Sequence, residues 1–271
     1  MKSDSAEHPR DETGSTLSLP PEILPEAAEH EAQLVTEFAS RYPDIHREWA
    51  RLDLLHRIQV ERRSTLIDTT KLRVAFEVLS AKAFSDSRAA YVTTQRGYLP
   101  ASLSSLRGAS EAIDLMKLFQ AYPEEVEDWF QEDPKFKDFG WIRRKITPED
   151  QPDPMFHRLL SYAMHANLRP LILFMGQRKH PTDNDFVLMP GPLHNEWTEF
   201  PAVFSLFLAM RAIAILHDQK TDLVTDLWRS EFRATMERHD SIRARVYETL
   251  ARNLALIEQA QATPPSKEAA T

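Results

Sequence analysis

The chain has 271 residues, with 33 Lys and Arg against 41 Asp and Glu for a formal charge of −8, and it holds six glycines, 18 prolines and no cysteine. Ordinary glycine usage is about 7%; here Gly14, Gly97, Gly108, Gly140, Gly176 and Gly191 stand apart, so there is no GxGxxG dinucleotide loop and no GxxxxGK[ST] phosphate loop, and glycine-rich barrels and sandwiches are disfavoured. The lack of cysteine excludes disulfides, thiolate nucleophiles, Fe–S clusters and cysteine-ligated zinc, and it fits a reducing cytoplasm.

Residues 1–33 carry eight acids against Lys2 and Arg10, which leaves the other 238 residues close to neutral. So neutral a body lacks the basic field of a duplex-DNA binder. Residues 1–21 and 261–271 are polar and proline-bearing and read as disordered tails, with 22–260 between them as a single helical domain. No basic region followed by an apolar stretch opens the chain, so a secretory signal is not expected and the location reads as cytoplasmic.

The first helix is predicted over about 25–41, with Leu34 and Phe38 inward. Tyr42-Pro43 ends it, and Asp44 opens a second over about 44–62, where Ile45, Trp49, Leu52, Leu55 and Ile58 recur at helical spacing. A third, about 66–96, is expected to bury Val74, Val78, Ala81, Ser85, Ala89 and Val92, small side chains that let a neighbouring backbone approach. Gly97 in the C′ role and Pro100 just beyond it make 71–120 an antiparallel helical hairpin. Pro123 starts another helix with Glu124 and Glu125 in its positive first turn.

Residues 133–154 are rich in charge and proline and read as a surface excursion with one or two short helices. A helix over 155–167 places Phe156, Leu159, Leu160 and Ala163 inside. A long loop follows over 176–195, in which 185–190 is a short strand or an extended run. Asn195 caps a helix whose 17 residues at 200–216 are apolar except for Ser205 and Arg211. That length is the lower edge of the roughly 17–25 residues a span needs, and with Arg211 inside it reads as a buried central helix rather than a membrane segment. Thr221 is expected to cap a last helix, about 222–260, with one apolar stripe from Val224 to Ile257. The fold class is therefore all-α: a multi-helix bundle of mainly antiparallel helices with disordered termini.

Four constellations could carry chemistry. Arg107 and Glu111, at i and i+4, share a helix face narrowed by serines, alanine and Gly108; they form either a structural pair at a helix contact or part of a binding site. Arg158 and His165 lie seven residues apart, close to two helical turns and about 10 Å along the axis, so both point the same way. That pairs a proton-transfer group with a phosphate-stabilising cation, which a homodimer would double; the other reading is a core histidine bonded to a backbone carbonyl. Among ten histidines there is no HExxH, no twin Glu-x-x-His and no His-x-His, so no metal and no cofactor are expected. GxSxG and SxxK are absent too, and Ser161, one turn from His165 and Arg158, has no evident orienting partner, which leaves Ser161 and Tyr162 as binding candidates only.

The stretch from Val74 to Leu168 contains YVTTQRGYLP, SLRGASEAIDL and FHRLLSYAMHAN. It resembles a group of uncharacterised bacterial and phage-associated helical proteins that share a helix ending near a glycine, an Arg-x-x-x-Glu on the next helix, and a later Tyr or Ser followed by His. Gly97, Arg107, Glu111, Ser161, Tyr162 and His165 take those places. The resemblance implies an all-helical fold and brings no activity with it. More distantly, the chain is similar to the HEPN superfamily of helical nucleotide-binding proteins and ribonucleases, whose motif is Arg, four to six residues, then His. That similarity implies a metal-independent ribonuclease or toxin in which Arg158 stabilises phosphate and His165 moves the proton. The sequence thus leads to a cofactor-free helical accessory or regulatory factor, not tied to a membrane, that binds a protein partner or small ligand near Arg107, Glu111 and His165. The ribonuclease, with RNA as its partner, is the alternative.

Overall fold

Proline, glycine and threonine set the corners of the bundle. The computed structural model describes residues 23–63, 70–146, 175–176, 189–190, 195–218 and 225–262. Helix α1 (Ile23–Arg41) passes through Tyr42 into α2 (Pro43–Arg63), which starts on a proline, where the missing N–H has no intrahelical partner to lose. α3 (Lys71–Gln95) turns into α4 (Leu99–Ala121) through a Schellman motif: Gly97, at φ 80°, donates its N–H to Thr94 O, and Tyr98 donates to Thr93 O. Only glycine takes that left-handed position without a steric penalty.

The buried side of α3 is not the predicted one. Val78 is 53% exposed, Ala81, Ser85 and Ala89 face solvent, and Val74 and Val92 lie at the boundary. Instead Ala75, Phe76, Leu79, Ala83, Phe84, Ala90 and Tyr91 face the core, together with Ser80, Ser87 and Thr94. Two of these hydroxyls lose no hydrogen bond on burial, since Ser87 Oγ donates to Ala83 O and Thr94 Oγ1 to Ala90 O, both at 2.7 Å. Ser102 of α4 then donates to the same Ala90 carbonyl at 2.9 Å and meets Thr94 Oγ1 at 2.7 Å, a polar clasp inside the hairpin.

Burial continues past α4. α5 (Glu125–Phe130), a 3₁₀ turn (Pro134–Lys137) and α6 (Phe139–Lys145) fold back, and α6 packs on α4. The 3₁₀ turn and α6 are the one or two short helices expected in 133–154; Phe136, Ile142 and Ile146 are buried and anchor this excursion to the bundle as a flap, while 147–154 lie outside the described residues. The predicted helix over 155–167 lies outside the described residues. Of the 176–195 segment, Met189–Pro190 pairs antiparallel with Met175–Gly176, Met175 opposite Pro190 and Gly176 opposite Met189.

α7 (Asn195–Asp218) is the core helix, packed against α2, α3, α4 and the last helix. Its stretch Thr198–His217 has a mean hydropathy of 1.8, long and apolar enough to cross a membrane, and is 78% buried within the bundle. Phe200, Phe204 and Phe207 stack down one side with centroids 5.4 and 6.3 Å apart.

The last predicted helix is two. α8 (Asp226–Met236) is capped by Thr225, whose Oγ1 accepts from Trp228 N at 3.2 Å, and α9 (His239–Ala262) follows a turn at Glu237 and Arg238. Thr221, the predicted cap, lies outside the described residues. The break has a tertiary cause, because α8 packs on α2 while α9 packs on α7. One straight helix could not serve both. Trp228 fixes the first contact: its Nε1 donates to the Leu55 carbonyl of α2 at 3.0 Å, and its ring stacks with Phe232 and with His217 at the end of α7.

Candidate functional site

The polar residues of α4 form one row. Arg107, Glu111 and Asp114, at spacings of four and three, stand one above the other on a helix face. Arg107 Nε donates to Glu111 Oε1 at 2.8 Å, and the two side chains are 37% and 21% exposed. Glu111 therefore engages the half-buried guanidinium through Nε, the one ion pair that Arg107 makes with a described residue.

Asp114 is the inner end of the row. It is only 2% exposed, among Ile113, Leu115 and Met116, and its Oδ2 accepts from Arg143 Nε of α6 at 3.1 Å. Ile142, fully buried beside it in sequence, anchors α6 and so delivers Arg143 to this carboxylate. Burial pushes the Asp114 carboxyl up to about 6 against the pull of Arg143 and Lys117, and Glu111 adds a smaller push in the same direction. Burial thus favours the protonated form of the carboxyl that follows the part-exposed Arg107–Glu111 pair along the helix. Neither Asp114 nor Arg143 is among the residues singled out from sequence. The only available signal for Asp114 is a charge three residues beyond Glu111 in an otherwise apolar run.

A second charged knot lies on the flap. Glu125 is buried at the start of α5, accepting from Lys145 and forming an ion pair with Lys135 at 2.9 Å. Lys145 lies 4.9 Å from the Tyr122 ring centroid and 5.1 Å from that of Trp141, and Lys135 lies 5.2 Å from Phe136. Burial raises the Glu125 carboxyl, but the two lysines outweigh it and hold it below the ordinary glutamate range. Every charge here is matched by a neighbour, so the knot fastens α5 and α6 to each other.

Of the residues predicted from sequence, Arg107 and Glu111 are brought together as expected, while Arg158, Ser161, Tyr162 and His165 lie outside the described residues. Among the described residues no group of three or more His, Asp or Glu side chains is placed to hold a metal ion. Comparison with known proteins finds no matching family model, no matching curated protein and no matching solved structure.

Proposed function

We propose that the chain is a helical accessory or regulatory factor of the cytoplasm that binds a partner through the α4 face, with Arg107 as the recognition residue. The observation that supports this reading is the Arg107–Glu111 pair: Nε is held by Glu111, and the half-buried guanidinium is offered to a carboxylate or a backbone carbonyl of the partner. A cation already neutralised by its own glutamate is suited to exchangeable recognition. Removing one rim charge of this kind changes association more than stability. Asp114 below it, clamped by Arg143, keeps the row in register.

The test compares the tagged full-length chain with Arg107→Ala and Glu111→Ala by quantitative affinity purification, alongside an RNA-degradation assay with Arg158→Ala and His165→Ala. A defined protein recovered with wild type and lost in Arg107→Ala is the expected result. RNA cleavage abolished by His165→Ala would replace this reading with the ribonuclease one.

A further inference from the structure

His239 opens α9 at the corner where the chain leaves α8, and its ring lies against Phe207 of α7 with centroids 5.2 Å apart. The corner is seated on two sides: Arg238 forms an ion pair with Glu48 of α2 at 3.0 Å, and His239 meets α7. Together with the half-buried Ile242, the imidazole docks the first turn of α9 on the core helix. Farther along, Val246 and Leu250 are buried and hold the rest of α9 in place.

That seat suits the neutral ring and not the charged one. His239 is 9% exposed, and its Nδ1 lies 3.4 Å from Asp240 Oδ1. A carboxylate can only accept, so Nδ1 carries the hydrogen and a second proton must go to Nε2, which is buried with no hydrogen-bond partner among the described residues. Three further charges bear on the ring. Arg211 of α7 and Arg243 of α9 repel a cation, Asp240 attracts it, and the N–H groups at the start of α9 add to the repulsion. Burial is the largest effect and holds the imidazole below the ordinary histidine value. The Asp240 side chain is 95% exposed, so the place where an imidazolium is both paired and hydrated lies outside the bundle, one residue along the chain.

We infer that His239 is a pH-sensitive latch on the α8–α9 corner. Neutral, it seats on Phe207 and docks the first turn of α9; protonated, it swings out to Asp240, and that turn loosens from α7 while Val246 and Leu250 keep the rest of the helix docked. The open position binds the proton more tightly than the closed one, so acidification opens the latch and neutral pH closes it.

The experiment follows the full chain by ¹H–¹³C imidazole spectra and amide hydrogen exchange from about pH 7.5 to about pH 4.5. His239 should titrate below a free histidine, and the protection factor of the Ile242 amide, which donates to Arg238 O at 3.0 Å, should fall about tenfold with the same midpoint. His239→Phe keeps a ring on Phe207 and cannot take a proton, so its Ile242 protection should stay flat over this range. Should His239→Phe not fold, Asp240→Asn, a change at an exposed side chain, serves in its place: it removes the acceptor of the open position and should move both midpoints together to lower pH. Ordinary titration of His239, protection that does not follow its midpoint, the same loss of protection in His239→Phe, or unmoved midpoints in Asp240→Asn would each overturn the inference.

Discussion

Arg143 Nε reaches Asp114 Oδ2 across 3.1 Å, joining a residue of the flap to a carboxylate buried in α4. The bond holds a charge that burial disfavours, so this one pair couples the packing of α6 to the protonation of α4.

Asp114 should make stability fall as pH rises through the acid range. Its folded value, about 6, lies above the model-peptide value of 3.8, so the folded state binds the proton more tightly and is favoured below pH 4 relative to above pH 6. About two units correspond to roughly 3 kcal/mol. Denaturant unfolding of wild type and Asp114→Asn at pH 4 and pH 7 should therefore show wild type losing up to about 3 kcal/mol relative to the variant. A difference that stays constant with pH would rule this out.

Glu125 carries the opposite sign. Its carboxyl is held below the ordinary range by Lys145 and Lys135, so its contribution is present above the unfolded glutamate value and lost as pH falls through the lowered one. Wild type should gain stability relative to Glu125→Gln as pH rises from the lowered value of this carboxyl through the ordinary glutamate range. The same unfolding series reads both residues, and their curves should slope in opposite directions.

Tyr91 Oη accepts from Gln95 Nε2 at 2.9 Å and meets His46 Nδ1 at 2.8 Å, while burial raises the phenol to about 12. Tyr91→Phe strands the amide of a buried glutamine and should cost about 1–3 kcal/mol. Adding Gln95→Leu should recover part of that loss, because the stranded donor is gone. Equal stability of the single and double variants would contradict this account.

Gly108 stands where the α3–α4 contact is tight: a Cβ there would lie 2.5 Å from Asp86 Oδ2, whose carboxylate is paired with Lys82 at 2.7 Å. Gly108→Ala gains about 1 kcal/mol of helix propensity but displaces that carboxylate from an exposed pair worth about 0–1 kcal/mol. The substitution should be close to neutral in wild type and stabilising by about 1 kcal/mol in an Asp86→Ala background. A double-mutant cycle measures the coupling, and perfect additivity would mean the two sites do not touch.

Arg107 and Glu111, part-exposed, should each cost less than about 1 kcal/mol when changed to alanine. Loss of a partner in Arg107→Ala then reports recognition and not unfolding, provided thermal melts of the two variants overlay wild type within a few degrees.

The corners of this fold are legible in sequence because each demands a special backbone. Pro43 begins α2, where its missing N–H has no intrahelical partner to lose, and Gly97 takes φ 80° with no Cβ to clash. Which way a helix faces is harder to read. On α3 the small aliphatic row and the aromatic row both repeat at helical spacing, and the core took the one holding the bulkier Phe76, Phe84 and Tyr91, where the Ser87 and Thr94 hydroxyls bond their own backbone. The turn at Glu237 and Arg238 is hidden for a related reason, since the apolar stripe runs through it and only the separate partners of α8 and α9 break the helix. At the candidate site, Arg107 and Glu111 are visible as a local pair. Asp114 and Arg143 are 29 residues apart, joined only after α5 and the 3₁₀ turn have reversed the chain, and no local pattern encodes that contact.

The Schellman turn at Gly97 also has a kinetic meaning. It connects the two helices that form the most extensive pair among the described elements, so much of the bundle's packing is made between residues near in sequence and needs little loop closure. The α3–α4 hairpin is thus placed to nucleate folding, with α7 docking onto it afterwards. Conservative truncations at Leu103 and Leu106 should slow refolding, whereas those at Ile213 and Leu216 should mainly speed unfolding.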